Sequence, residues 1–170
     1  MDVAEAIRSK RAVREFENRS VPDEAVQAIL NAGRRAQSSK NTQPWRFVAV
    51  RDRETLQRLS QTGNFAAHLA NAPLGVVILV PDPTNRPSAA FDAGQSAAYM
   101  QLAAWDLGIG SCLAAIYHPD AARELLGFPQ DLFPVMALSF GYPRDPAVLS
   151  APPRSGGRQP LGDLVHYEHW

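Results

Sequence analysis

The stretch LGVVILV, residues 74–80, decides the fold class of this chain. Its side chains are aliphatic apart from one glycine, four of them are β-branched, and prolines stand at both ends. An unbroken apolar run of this length predicts a strand buried on both faces, because a half-exposed strand would alternate apolar and polar side chains. We therefore expect a central strand that is covered by other elements on both sides.

The segments around this strand predict a mixture of helices and strands. Apolar spacing and end signals predict helices near residues 2–10, 21–36, 53–60, 88–107 and 119–127, with a shorter one at 64–71. They predict further strands at 46–50 and 133–143, and a glycine turn with a short strand at 108–116. The order lacks a strict βαβ alternation, so the fold class is α+β or mixed α/β. We expect one domain over residues 1–170.

Two segments have apolar or aromatic side chains that need to be covered by another protein surface. The helix at 88–107 is apolar nearly all the way round, which is typical of a helix buried inside a larger body. Residues 144–170 are rich in Pro, Gly, Arg and Ser, end in aromatic side chains, and predict an extended C-terminal arm. Together they favour an obligate dimer with each arm on the partner, although one large monomeric core could also accommodate both.

Composition narrows the function class. Seventeen basic side chains balance seventeen acidic ones, so no overall field would attract nucleic acid or an anionic membrane. Cys112 is the only cysteine, which rules out an intrachain disulfide and a multi-thiolate zinc site. No secretory signal and no uninterrupted membrane-length apolar run are present. We expect a soluble, cytoplasmic protein that binds neither nucleic acid nor membrane.

Positive charge is concentrated in KRAVREF, residues 10–16, next to the end of the first predicted helix. Taken alone, this cluster could be a solvated surface, a nucleic-acid patch or a pocket for one phosphate. It is followed by SSKNTQPW at 38–45, LGIGSC at 107–112, FGYP at 140–143 and a basic turn before PLGDLVHYEHW. These motifs, in this order and over nearly the full length, resemble the nitroreductase family of flavin enzymes.

The resemblance implies a three-layer α+β fold in which helices flank a central, mostly antiparallel sheet. It also implies an intertwined homodimer with the C-terminal arm on the partner. FMN would be held without covalent attachment at the dimer interface, and NADH or NADPH would be the electron donor.

The resemblance assigns KRAVREF to the cofactor. It implies that Lys10 and Arg11 lie at the FMN phosphate and that Arg14 approaches the pyrimidine edge of the flavin, where positive charge stabilises the reduced form. Two residues depart from the family pattern. Ala12 replaces a serine, which removes one hydroxyl contact, and Lys10 replaces the more usual arginine, which removes a bidentate fork.

In SSKNTQPW, the resemblance implies that four polar residues lie near the flavin of the partner subunit: Ser38, Ser39, Asn41 and Gln43. Without the other motifs, this segment would be interpreted as a polar turn ahead of a strand.

The later motifs complete the implied site. After the glycine turn at 108–110, the resemblance places a run of small and apolar residues near the flavin ring, with one backbone N–H at flavin N5: Cys112, Leu113, Ala114 and Ala115. Arg158 matches the second cation of a pair that completes the phosphate site. The first cation falls on Gly156, and Arg154 could substitute for it.

The implied function is hydride transfer from NAD(P)H through flavin N5 to a small electrophile such as a nitroaromatic or quinone, in a ping-pong cycle. No side chain needs to act as a nucleophile, because the cofactor performs the chemistry. The four histidines lack metal-ligand spacing and are interpreted as surface or packing residues, and no metal site is expected. The alternatives are a flavin-destroying or dehalogenating relative and an FMN-binding protein without turnover.

Overall fold

A computed structural model describes residues 1–152 and 157–170. The helices are α1 Val3–Ser9, α2 Asp23–Arg34, α3 Arg53–Leu59, α4 Pro87–Asp106 and α5 Pro119–Leu126. The strands are β1 Arg46–Val50, β2 Leu74–Pro81, β3 Gly110–Ala115 and β4 Leu132–Gly141. Short 3₁₀ turns occupy Ser39–Asn41, Ser60–Thr62, Ala67–Asn71, Pro146–Leu149 and Leu161–Asp163.

The four strands form one antiparallel sheet in the order β1–β2–β4–β3. The strand predicted from LGVVILV is β2, which lies inside the sheet and has residues 74–80 fully buried. Alternate side chains of β2 enter different cores, with Val76 and Ile78 on one face and Val77 and Leu79 on the other. The expectation of a central strand covered on both sides is therefore confirmed.

Helices cover both faces of this sheet. On one face α2 and α4 pack together, and the hydroxyl of Ser96 on α4 donates to the carbonyl of Gly33 on α2 at 3.0 Å. On the other face lie α3 and α5, with Leu59 and Ala122 in the second core. The predicted three-layer α+β fold with an antiparallel sheet is confirmed.

One chain alone does not cover α4 on all sides. Ala93, Ala97 and Met100 are buried in the core, whereas Phe91 is 72% and Tyr99 is 40% exposed. The arm is similarly uncovered, since residues 157–170 are all exposed and Trp170 is completely so. Within the described ranges, no helix is long and apolar enough to cross a membrane.

Candidate functional site

The segment that carries KRAVREF is attached to the free edge of β3. Ala12 forms a parallel bridge with Ser111, and the backbone N–H of Val13 donates to the carbonyl of Ser111 at 2.9 Å. Gly110 makes this approach possible, because a Cβ at this position would lie 2.6 Å from the Cβ of Val13. The glycine of LGIGSC thus allows the basic segment to pack on the strand.

The same segment is fixed again beyond Arg14. Phe16 bridges Pro143, and the N–H of Glu17 donates to the carbonyl of Tyr142 at 2.8 Å. Arg14 is therefore held between two anchored positions, with its side chain exposed. It lines a cavity of about 660 Å³, here called the Arg14 cavity, together with Asn64, Phe65, Ala67, His68, Asn71 and Leu113.

Lys10, Arg14 and Arg158 form a cationic cluster around β3. Burial lowers the pKa of Lys10, and the charge of Arg158 acts in the same direction, while Cys112 opposes both. Arg14 and Lys10 both act on the Cys112 thiol, against the rise in pKa that burial causes, so these two cations flank Cys112, while Arg158 is a neighbour of Lys10. In residues 1–152 and 157–170, no carboxylate lies within 4 Å of the three cations. A bound anion would supply the missing negative charge.

Arg11 and Ala12 have other contacts. The Nη1 of Arg11 donates to the carbonyls of Arg8 at 2.8 Å and Lys10 at 3.0 Å, so this nitrogen binds the end of α1. Ala12 lies exposed at the bridge to Ser111. Of the predicted phosphate ligands in this motif, Lys10 is the one whose pKa is affected by the charge of Arg158.

The run from Cys112 to Ala115 forms most of β3, and its side chains alternate between the two faces. Cys112 and Ala114 are buried, while Leu113 and Ala115 are exposed. Burial raises the pKa of the Cys112 thiol, with Arg14 and Lys10 opposing this effect, so a reactive thiolate is not favoured.

The backbone of β3 matters as much as its side chains. Because the Ser111 carbonyl faces the free edge, the backbone groups of Leu113 and Ala115 face the same edge. A Cβ at Gly63 would lie 2.0 Å from the Ala115 oxygen, so the chain at Gly63 covers that end. Leu113 lies between Ser111 and Ala115, whose edges are covered, and it lines the Arg14 cavity.

His68 is a polar residue of the cavity that the sequence analysis did not assign to the site. It is 7% exposed, and its Nδ1 lies 2.8 Å from Ser139 Oγ. Burial lowers its pKa, the Leu113 carbonyl opposes this, and Arg14 lowers it further, so the neutral form is favoured. Its Nε2 is buried without a hydrogen-bond partner among the described residues. The Leu113 carbonyl on β3 is the backbone group that acts on this buried ring.

The SSKNTQPW loop is held against the first half of α4. The backbone N–H of Ser39 donates to both carboxylate oxygens of Asp92, at 3.2 and 3.1 Å, and Asp92 is 2% exposed. Ser38 Oγ accepts from the N–H of Gln43 at 2.9 Å, and Gln43 Nε2 donates to Asn41 Oδ1 at 3.2 Å. The four predicted polar residues are thus brought together.

This loop also carries backbone strain. Lys40, Asn41 and Gln43 have φ of 53°, 53° and 46°, in the left-handed region that side chains disfavour. Such strain persists only where surrounding contacts hold it, and it is concentrated at functional sites.

The structure does not bring the loop and the cationic cluster together within one chain. Asp92, which holds the loop, and Trp105, which donates to Ser9 Oγ at 2.9 Å beside Lys10, are separated by 13 residues of α4. At about 1.5 Å per residue, this places roughly 20 Å between the two attachment points. One chain therefore presents two halves of the predicted site at opposite ends of a helix.

Several residues of the Arg14 cavity were missed in the sequence because no motif marks them. Asn64, Phe65 and Asn71 surround a segment whose apolar residues predict only a short helix, and the structure has a 3₁₀ turn there. The sequence feature that could have indicated this segment is Gly63, because the absence of a side chain there allows its close contact with Ala115 on β3. Arg154 and Gly156, considered for the phosphate site, lie outside the described residues.

Known proteins share this sequence and this fold. The family model described as the nitroreductase family matches residues 7–64 and 60–142. A protein of Archaeoglobus fulgidus, provisionally assigned as an NADH dehydrogenase/NAD(P)H nitroreductase, is 36% identical over 82% of this chain and 84% of its own length.

Solved structures agree with the sequence comparison. An FMN-dependent nitroreductase from Clostridium difficile superposes with a TM-score of 0.83 at 28% identity, covering 99% of this chain and 100% of that one. The NADPH:FMN oxidoreductase of Vibrio harveyi, complexed with NAD⁺, has a TM-score of 0.85 at 26% identity, covering 98% and 77%. The chain described here belongs to the nitroreductase family.

Proposed function

We propose that this protein is an FMN-dependent oxidoreductase that takes electrons from NADH or NADPH and passes them to a small electrophilic acceptor. The observation that carries this proposal is the cationic cluster of Lys10, Arg14 and Arg158, which lacks a carboxylate partner within the described ranges. The C. difficile and V. harveyi relatives, whose names include FMN, support the choice of cofactor.

The donors present fit a flavin mononucleotide. Its phosphate needs charge-assisted donors, which Lys10 and Arg158 would provide. Arg14 lines the adjoining cavity and would face the polar edge of the ring system. The neutral ring of His68 lines the same cavity. The outward backbone of Leu113 would approach the ring closely.

The complete site would be built from two chains. The loop with Ser38, Ser39, Asn41 and Gln43 lies about 20 Å along α4 from the cluster, so the partner's loop would have to complete the pocket. Exposed apolar side chains on α1 and α4 supply a surface for a second copy, with Val3 at 73%, Ile7 at 64% and Phe91 at 72% exposure. The arm would cover the partner with its terminal aromatic residues.

When bound, FMN would supply hydride acceptance at N5 from the nicotinamide donor and donation to the acceptor in alternating turns. The chain's own residues would hold and orient it. Lys10 and Arg158 would bind the anionic end, and the positive charge of Arg14 would favour negative charge on the ring. The anchored segment at Val13 and Glu17 keeps Arg14 in place.

The proposal is tested by purifying the protein and recording its absorbance. A yellow, dimeric protein whose absorbance at about 450 nm bleaches with NADH or NADPH, and returns with a quinone or nitroaromatic, is the expected result. A colourless protein that does not take up added FMN would refute the proposal. A yellow protein that neither donor bleaches would favour the alternative of flavin binding without turnover.

A further inference from the structure

A second concave surface lies next to the Arg14 cavity and shares Asn71 with it. It has a volume of about 490 Å³, within the range of small-ligand pockets. We call it the arginine cleft because four arginines line it, together with one acidic residue, Glu17: Arg19, Arg51, Arg53 and Arg144.

The scaffold of the arginine cleft is fixed. The guanidinium of Arg19 stacks on the Tyr142 ring at 3.8 Å from its centroid. Arg51 is held by Asp23 at 2.6 Å and donates to the Val21 carbonyl at 3.0 Å. The backbone N–H of Arg144 donates to the Glu15 carbonyl at 3.0 Å. These contacts restrict the guanidinium groups of Arg19 and Arg51 and the backbone at Arg144 before any ligand arrives, which lowers the entropic cost of binding.

The cleft has more positive charge than its own acids neutralise. Arg51 pairs with Asp23 and Arg144 with Glu15, but in the described part of the chain Arg19 and Arg53 have no carboxylate within 4 Å. Arg53 is also the first residue of α3, where a cation opposes the helix dipole. The helix dipole therefore does not favour a positive charge at Arg53, whereas a bound anion would.

We propose that the arginine cleft is a binding site for a phosphate group of a nucleotide, and specifically for the 2′-phosphate of NADPH. Planar guanidinium groups bind phosphate oxygens in pairs, which suits Arg19 and Arg53. The shared wall at Asn71 would let one dinucleotide extend from the Arg14 cavity into the cleft. This assignment of NADPH rests on the proposed function, whereas phosphate binding itself does not.

The direct test measures binding of 2′,5′-ADP to the flavin-loaded protein by calorimetry, with 5′-AMP as the probe that lacks the 2′-phosphate. We expect 2′,5′-ADP to bind more tightly than 5′-AMP and Arg53→Gln or Arg19→Gln to weaken it roughly ten-fold or more. Arg58→Gln is the matched control, since Arg58 is an exposed arginine on the same helix and does not line the cleft. The proposal would be overturned if 2′,5′-ADP bound no more tightly than 5′-AMP and if neither Arg53→Gln nor Arg19→Gln changed its binding.

Steady-state kinetics with NADPH and NADH show whether the phosphate bound in the cleft belongs to NADPH. In Arg53→Gln we expect KM for NADPH to rise roughly ten-fold while KM for NADH and kcat stay unchanged. If Arg53-dependent binding of 2′,5′-ADP and inorganic phosphate occurs with KM for NADPH unaltered, the cleft is a phosphate site for another phosphorylated ligand. A yellow, NADH-reducible protein without any such binding refutes this inference and leaves the proposed function intact.

Discussion

Gly110 packs directly against the side chain of Val13. A Cβ added at Gly110 would lie only 2.6 Å from the Cβ of Val13. This contact joins the glycine turn of LGIGSC to the basic segment KRAVREF. The bridge between Ala12 and Ser111 forms only if the two backbones approach this closely. The position of Arg14 therefore depends on a residue that carries no chemistry.

Replacing Gly110 by Ala should displace the basic segment from β3. Overpacking of this kind costs roughly 1–3 kcal/mol, and part of it would be relieved by movement of Val13 and Arg14. We expect a lower melting temperature together with weaker flavin retention after dialysis. Gly94→Ala is the control once gel filtration shows that it is dimeric like the parent, because a Cβ at Gly94 meets nothing within 4 Å inside the chain. Full flavin occupancy in Gly110→Ala would contradict the proposed link.

Removing either end of the cationic cluster should weaken cofactor binding without unfolding the protein. Arg14→Ala and Arg158→Ala each delete a charge-assisted contact of about 1.5–3 kcal/mol, which corresponds to a rise in Kd of roughly ten- to a hundred-fold. Fluorescence titration of the apoprotein with FMN measures this change. Arg58→Ala removes the same charge from an exposed site and should leave Kd unaltered. If both cluster variants bind FMN like the parent, the site assignment is wrong.

A site shared between two chains predicts complementation. Arg14→Ala damages the cluster, and Gln43→Ala damages the loop about 20 Å away along α4. In a mixed dimer with one variant in each chain, one of the two sites would combine an intact cluster with an intact loop. We expect unfolding and refolding of the mixture to restore flavin binding to a substantial share of the dimers.

The separate variants, refolded in the same way, are the controls for this experiment. A site contained within one chain would gain nothing from mixing, because every chain would keep its own defect. Absence of any recovery in verified mixed dimers would therefore argue against the shared site.

The buried imidazole of His68 predicts a pH dependence of stability. Burial lowers its pKa below the value of about 6.5 expected in the unfolded chain, so the unfolded state binds the proton more readily. Stability is then complete above about pH 6.5 and falls as the pH drops from there toward the folded-state pKa. Thermal unfolding in excess FMN should show this fall, and His68→Asn should flatten it.

The control for this experiment is His169→Asn, at an exposed position in the arm. It should reproduce the parent curve over the same pH range. A parent curve that stays flat below pH 6.5, or a slope that His68→Asn leaves unchanged, would show that His68 is not the group responsible.

Local pattern was sufficient for the elements with strong periodic or end signals. Strand β1 spans Arg46–Val50 as predicted, and β2 extends the prediction by one residue to Pro81. Helix α5 ends where Gly127 adopts a φ of 71°, as its sequence indicates. These features depend on side chains within a few residues of each other, so they can be predicted from the sequence alone.

The motifs of the basic segment and the polar loop were also evident in the sequence, as was their membership of one family pattern. What residue order did not indicate was their distance, since only the packing of α4 places about 20 Å between them. The resemblance, not the spacing, supplied the idea of a partner subunit.

The sequence by itself determined the α+β class, the buried central strand and the cationic segment, because hydrophobic period and local charge are properties of neighbouring residues. Tertiary structure alone decided that His68 is buried beside Arg14, that Gly110 admits Val13, and that Arg19 and Arg53 line one cleft. These relationships join segments dozens of residues apart, and they exist only once the sheet fixes which strand edges and loops are adjacent.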